Sequence, residues 1–436
     1  MSHTTHTLES ALDFTQTDFS PAGGPALDQN ELRRRVHRQL LGDFSDSVHV
    51  QRARELVPVL KERAHRQWEH ERVFDETIAD MQEAGLFQML QPRRYGGTEA
   101  TPIESFEVAA TLAEGDPSVG WVLAVVGGHA FHLAYFDDRA QAEVWSDDTK
   151  MLISSPYAPC TAKRVDGGFL LSGRWSFSSG SDHCGWTLLG ANIEGEPPAP
   201  PGPVGTHVML LPRSDYSIVH NWKVHGLRAT GSNDIVVENA FIPDHRSLTW
   251  ESVFDRTAPG LQVNDGLLYR LPFFQVFSRA TQPPTALGAL KGMADALVER
   301  FREKGRGLQD PIAALALSKT YSAIDEMKGR LFANYASLIA QAEGEITIPA
   351  STLEQYRFQA AHIAPRCAEL ATELYRVAGG TGIYEDRPFG RYLADIQATQ
   401  THALNNFPQR ALEWMTVVGN STPESEVRHP LWRGQS

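Results

Sequence analysis

A chain of 436 residues, 42% apolar and 21% charged, is long enough for two or three domains or one large unit and has the balance of a soluble globular protein. A formal charge of −13 without any long Lys/Arg run argues against nucleic acid or an anionic membrane surface as a partner. Cys160, Cys184 and Cys367 are few, odd in number and far apart, which excludes a disulfide framework and a cysteine metal motif and points to a reducing, cytoplasmic setting.

Residues 1–30 are rich in Thr, Ser, Gly, Pro and Asp, lack apolar periodicity and read as a flexible arm. No signal-peptide core and no membrane-length apolar run occurs. From 31 to 148 the periodicity is helical, giving an N-terminal α-helical domain. One helix is expected to start with Asp75 as N-cap, to pass through Ile78 and Met81, and to stop near Gly85 before a loop at 92–97. Another starts at 103–112. Asp116-Pro117-Ser118 then opens a helix with Pro at a favoured first-turn position, carrying Trp121 and His129 as far as Phe131. Gly127 and Gly128 inside it cost roughly 1 kcal/mol each, which implies a packing or ligand reason.

From 149 to 265 short apolar runs punctuated by turns, such as 208–211 and 235–237, indicate a central β-domain, with a Pro-rich surface loop at 197–203. From 266 to 436 long helical runs return at 284–304, 311–341, 351–378 and 389–415, the last two separated by glycines, and read as a C-terminal four-helix bundle. Within the β-domain, Trp175, Phe177 and Ser179 alternate with Arg174, Ser176 and Ser178, the period of a half-buried strand, before the turn formers at 178–182. An aromatic face followed by hydroxyls suits a flat ligand with a polar edge, although aromatic residues at alternate strand positions are also ordinary core.

The stretch 171–185, LSGRWSFSSGSDHCG, and the stretch 224–246, VHGLRATGSNDIVVENAFIPDHR, together resemble the middle β-domain of the acyl-CoA dehydrogenase fold. The resemblance extends from about Glu71 to Asn406 and implies an α+β architecture: N-terminal helical domain, central β-barrel or sandwich, C-terminal four-helix bundle. It also implies that the loop at 92–97 lies beside cofactor and substrate. Several chemistries share that scaffold. The chain has no GxGxxG after a strand, no P-loop, no HExxH and no GxSxG elbow, so a Rossmann nicotinamide site is not supported; the cofactor that the resemblance implies is a flavin. The region 395–405, which matches the part of the fold where acyl-CoA dehydrogenases carry a catalytic glutamate, holds no glutamate and has His402 instead.

The runs PSVGWV at 117–122, VVGGH at 125–129, ISSP at 153–156 and the Trp175 strand resemble the oxygenase components of two-component flavin monooxygenases, of the p-hydroxyphenylacetate and steroid-phenol hydroxylase type. That resemblance implies reduced flavin, FMNH₂ ahead of FADH₂, from a separate reductase; reaction with O₂ to a C4a-hydroperoxide; transfer of one oxygen to a phenolic ring; and a homotetramer. On it, His129 is the candidate base, since a neutral His can accept a phenol proton. Ser155 and Trp121 position ring and flavin, and His402 lines the cavity from the bundle. Ser179 or a neighbouring hydroxyl holds the flavin N5 proton. Ser154, Trp175, Phe177, Ser178, Arg228 and Ser232 complete the candidate flavin contacts. Arg228 could equally form a surface ion pair, and His132, His183 and His225 have no such support. No metal site is expected. Nitrogen or sulfur oxygenation, acyl-CoA dehydrogenation and a flavin-free scaffold are the competing readings.

Overall fold

The computed structural model describes residue 44 and residues 46–197, 205–281, 283–305 and 307–420. The chain divides after Asp43, and everything described belongs to the unit beginning at Phe44. The expected arm at 1–30 and most of the Pro-rich loop lie outside the described residues.

Among the described residues, five helices come first: α1 (Val48–Glu69), α2 (Asp75–Glu83), α3 (Pro102–Gly115), α4 (Pro117–Leu133) and α5 (Asp138–Trp145). Asp75 is the first residue of α2 rather than its cap; Phe74 occupies the cap position and makes no side-chain capping bond. Helix α4 opens at Asp116-Pro117-Ser118 as expected, and Asp116 is its cap, accepting from the Ser118 amide at 2.9 Å.

Eight strands follow: β1 (Ile153–Ser154), β2 (Cys160–Val165), β3 (Gly168–Ser178), β4 (Trp186–Ile193), β5 (His207–Pro212), β6 (Ser217–Val219), β7 (Asn233–Pro243) and β8 (Ser247–Thr249). They form one sheet in the order β6-β7-β3-β2-β4-β5-β8, with β1 pairing parallel to β4. Neighbouring residues of β4 and β5 fall in different cores. Leu188, Val208 and Leu210 pack with the helices, whereas Leu189, Met209 and Leu211 join Leu171, Trp175, Ile235 and Val237 in a core that the sheet folds around. Burial on both sides explains why these strands read as continuous apolar runs.

Helices resume at Trp250: α6 (Trp250–Phe254), α7 (Leu267–Arg270), α8 (Phe273–Thr281), α9 (Pro283–Glu303), α10 (Pro311–Ala342), α11 (Ala350–Ala361), α12 (Ile363–Ala378), α13 (Phe389–Thr399) and α14 (Phe407–Asn420). The last strand ends at Thr249. Helices α9, α10, α12 and α13 form the bundle, and α9 also packs on α3 and α4. Two expected helices are each broken. Pro365 has no amide hydrogen and its ring opposes the carbonyl four residues back, so the third run divides at His362. The fourth stops at Thr399, whose hydroxyl bonds back to the Ile396 carbonyl at 2.7 Å, and restarts beside Pro408.

Candidate active site

Helix α4 is buried along almost its whole length and sets both halves of the site. Its first turns lie close against α3: a Cβ on Gly120 would meet the Ala113 Cβ at 2.6 Å and the Ala109 carbonyl oxygen at 2.8 Å. Gly128 faces the Phe277 ring, which a Cβ would meet at 3.4 Å, whereas Gly127 has only ordinary contacts.

At the first half, Trp121 donates its indole N–H to the Ser179 hydroxyl at 3.1 Å. Ser179 continues to Ser232 at 2.7 Å, Ser232 to Thr230 at 2.7 Å, and Thr230 to the Leu227 carbonyl at 2.7 Å. The Gly180 amide closes the turn on the Thr230 carbonyl at 2.9 Å. The Trp121 ring lies 5.6 Å from the His402 ring. The structure therefore brings together Trp121, Ser179, Ser232 and His402. Asp395 on α13 ties this half down, accepting from the Leu227 amide at 2.6 Å. Burial, reinforced by the nearby Asp116 carboxylate, pushes its pKa up to about 7.

Two turns further along α4, His129 is wholly buried. Its Nδ1 lies 2.6 Å from the Ile153 carbonyl oxygen, which can only accept, so the proton sits on Nδ1. Nε2 is then the acceptor for the Ser155 hydroxyl at 2.6 Å. Burial lowers the His129 pKa to about 4, against the weaker pull of the Ile153 carbonyl, so the ring is neutral at neutral pH. Desolvation likewise lowers His402 to about 4.

The network extends past the expected residues. The Tyr157 ring meets the His129 ring edge-on at 6.1 Å. The Tyr157 hydroxyl lies 2.7 Å from Nδ1 of His132, one turn beyond His129. Phe277 of α8 stacks on the His129 ring at 6.0 Å. His132, set aside on sequence grounds, is thus attached to the site. Tyr157 and Thr230 were also missed. Tyr157 lies one residue past the ISSP run and Thr230 lies inside the quoted ATGS run, so both sat within reach of the motifs.

Other expected contacts sit elsewhere. Trp175 is in the sheet's own core, its indole donating to the Gly190 carbonyl at 2.9 Å. Phe177 is 70% exposed and points toward Trp222, because a register shift between Trp175 and Ser178 puts Phe177 at φ 71°. The two rings do not share one face. Ser154 is turned into the sheet, bonded to Thr187 at 3.1 Å. Arg228 forms the ion pair, with Glu71 at 2.7 Å, and lies over the Trp68 ring. The loop at 92–97 engages α5 and Asn264 through Tyr95 on Trp145 and Arg94 on Gln141 and Asn264.

A flavin fits this chemistry. Beside the Trp121–Ser179 chain, the hydroxyls of Ser178 and Ser181 are buried with no hydrogen-bond partner among the described residues. Orphaned hydroxyls next to an indole match the polar edge and flat body of such a ring system. Trp121, Ser178, Ser179, Ser181 and Ser232 are the side chains that would hold it.

Comparison with known proteins points the same way. Residues 43–148 match the acyl-CoA dehydrogenase N-terminal domain and residues 280–407 its C-terminal domain. The flavin-dependent monooxygenase oxygenase subunit HsaA of Rhodococcus jostii strain RHA1 is 35% identical over 376 residues, covering 83% of this chain and 95% of that protein. The FADH(2)-dependent resorcinol hydroxylase oxygenase component of Rhizobium sp. MTP-10005 is 32% identical over 57% of this chain and 61% of its own length. The crystal structure of 3-HSA hydroxylase from Rhodococcus sp. RHA1 superposes with a TM-score of 0.82 at 32% identity, over 87% of this chain and 98% of that one.

Proposed function

Because this chain belongs to the oxygenase components of two-component flavin-dependent monooxygenases, built on the acyl-CoA dehydrogenase fold, we propose that it hydroxylates a phenolic ring in the space between Ser155 and Trp121. When bound, reduced flavin supplies two electrons to O₂, one oxygen atom entering the ring and the other leaving as water. The observation that carries the reading is the Ser155–His129 pair. With its proton committed to Nε2 of His129, Ser155 presents a lone pair that can accept a substrate O–H.

The proton then has a defined destination, Nε2 of His129, through Ser155. A phenol has a pKa of about 10 and His129 one of about 4, a gap of roughly 8 kcal/mol, so the phenol stays protonated in the resting complex. Transfer becomes favourable only as attack on the ring acidifies the hydroxyl, which is general-base catalysis in the transition state. Ser179, held by Trp121 and Ser232, would hold the flavin N5 proton.

Sequence reasoning favoured FMNH₂. A relative named for FADH₂ supports FADH₂ instead, and binding titrations with each reduced flavin decide between them. We also read the protein as a homotetramer served by a separate reductase. Ile312, Leu315, Leu412 and Met415 are at least half exposed and would be covered by other copies, whereas light scattering from a stable micromolar monomer would refute this.

Turnover under ¹⁸O₂ with a generic flavin reductase and a panel of phenols tests the function. One labelled oxygen atom per product is expected. A protein that instead retains oxidised flavin tightly and bleaches with an acyl-CoA overturns it.

A further inference from the structure

Behind the aromatic wall of the candidate active site lies a cavity that no step so far has used. Its volume is about 70 Å³, several times the roughly 10–15 Å³ that one water requires. Tyr135, Phe273, Phe274 and Leu353 give it an apolar body, and Arg256, Gln275, Glu354 and Arg357 are its polar lining. Gln275 is 6% exposed; its amide N–H donates to the Leu353 carbonyl at 3.1 Å, which leaves Oε1 as an acceptor with no partner among the described residues. Arg357 is matched in charge by both oxygens of Glu354, each at 2.9 Å. Arg256 is different. Its guanidinium donates to the carbonyls of Arg270 and Tyr269 at 3.0 and 3.2 Å and meets no carboxylate among the described residues. The cavity therefore holds one unmet acceptor and one cation without a counter-charge.

The cavity is connected to the chemistry through α8. Phe277 stacks on His129 at 6.0 Å, Phe273 stacks on Phe277 at 5.4 Å, and Phe273 is a wall of the cavity. Two ring-to-ring steps separate the base from the polar lining. A ligand that joins them takes the place of two stacked rings, which suits a linked or fused polycycle.

Resting on the phenol-hydroxylase reading, we propose that this cavity is the distal subsite for a polycyclic phenol carrying a second hydroxyl at its far end, with Gln275 and Arg256 as its specificity residues. A hydroxyl satisfies both groups at once, donating to Gln275 Oε1 and accepting from Arg256. A carboxylate would meet Arg256 but offer nothing to Gln275, and leaving that buried acceptor unmet carries a cost. Filling the subsite requires Phe273 and Phe277 to turn aside, so α8 selects for length as well as polarity.

Calorimetric binding of three ligands to the whole protein tests the subsite without turnover: para-phenylphenol, the same biphenyl with a second hydroxyl at the far para position, and the biphenyl with a carboxylate there. The dihydroxy ligand is expected to bind about tenfold more tightly than para-phenylphenol, the effect of one well-placed buried hydrogen-bonding group. In Gln275→Leu, and independently in Arg256→Met, that ratio is expected to collapse toward one while para-phenylphenol still binds. Equal binding of the first two ligands by the wild type overturns the proposal, as does a ratio that survives both substitutions. Tighter binding of the carboxylate than of the dihydroxy ligand overturns the hydroxyl assignment in favour of an anionic end. The two readings fail separately: absence of ¹⁸O incorporation with the binding ratio intact removes the hydroxylase and leaves the subsite, and hydroxylation without the ratio does the reverse.

Discussion

His129 has one proton-accepting atom and the structure commits it: Nδ1 is spent on the Ile153 carbonyl, and Nε2 faces Ser155. His129→Ala is expected to slow hydroxylation about 10²–10⁴-fold, the usual effect of losing a positioned base, while O₂ consumption continues and ends as peroxide. The defect should shrink as pH approaches the phenol's own pKa of about 10, where solvent supplies the phenolate. Loss of O₂ consumption together with product would instead make His129 a packing or flavin-binding residue. Because burial already holds the wild-type ring neutral above about pH 4, its rate should show no inflection at the ordinary histidine pKa. Ser179 is the second test at this scale. Removing its hydroxyl by Ser179→Ala cuts the Trp121–Ser179–Ser232 chain, and one hydrogen bond of roughly 0.5–1.5 kcal/mol corresponds to a several-fold rise in peroxide released per product. An unchanged peroxide-to-product ratio would move the N5 role to the orphaned hydroxyl of Ser178.

Elements were legible where local chemistry decides them. Asp116-Pro117-Ser118 announced α4, and the apolar runs at 208–211 and 235–237 announced the strands β5 and β7. Period-2 reading failed at Phe177 because it assumes an unbroken ladder. The register shift there is set by how β3 meets β7, a partner nearly 60 residues away, and it sends Phe177 outward while Trp175 stays in the core. The same limit hid Tyr157, whose link to His132 is tertiary, and the cavity at α8, whose walls come from Tyr135, Phe273 and Leu353. Pro365, by contrast, was visible and should have divided its helix. The seating of α4 on α3 is itself testable. Gly120→Ala would push a methyl against Ala113 and the Ala109 carbonyl, overpacking that costs about 1–3 kcal/mol and shifts Trp121, the next residue. A lower melting temperature together with more peroxide release is expected. A fall in stability with coupling untouched would mean that α4 yields without disturbing the Trp121–Ser179 bond.

At the scale of the whole molecule, the site's buried titratable groups work against one another as pH changes. His129 has a folded pKa of about 4 against an ordinary 6.5, so the unfolded chain binds more protons between those values. Its contribution, roughly 3 kcal/mol, is present above pH 6.5 and is lost as pH falls toward 4. His132 and His402 are depressed in the same direction. Asp395 has the opposite sign. Its folded pKa of about 7 lies above the ordinary 3.8, so the folded state binds the extra proton, and stability is lost as pH rises from about 4 through 7. The three histidines outweigh Asp395 and its neighbour Asp116, whose pKa burial also raises, so the melting temperature is expected to fall as pH drops from 6.5 to 4.5. The carboxyl's share can be isolated. Asp395→Asn keeps an acceptor for the Leu227 amide but cannot ionise, so its melting temperature relative to wild type should climb from pH 5 to about 7 and level off by pH 8. A difference that stays flat across that range would show that Asp395 is ionised throughout in the folded protein, held by Arg391 rather than protonated against Asp116.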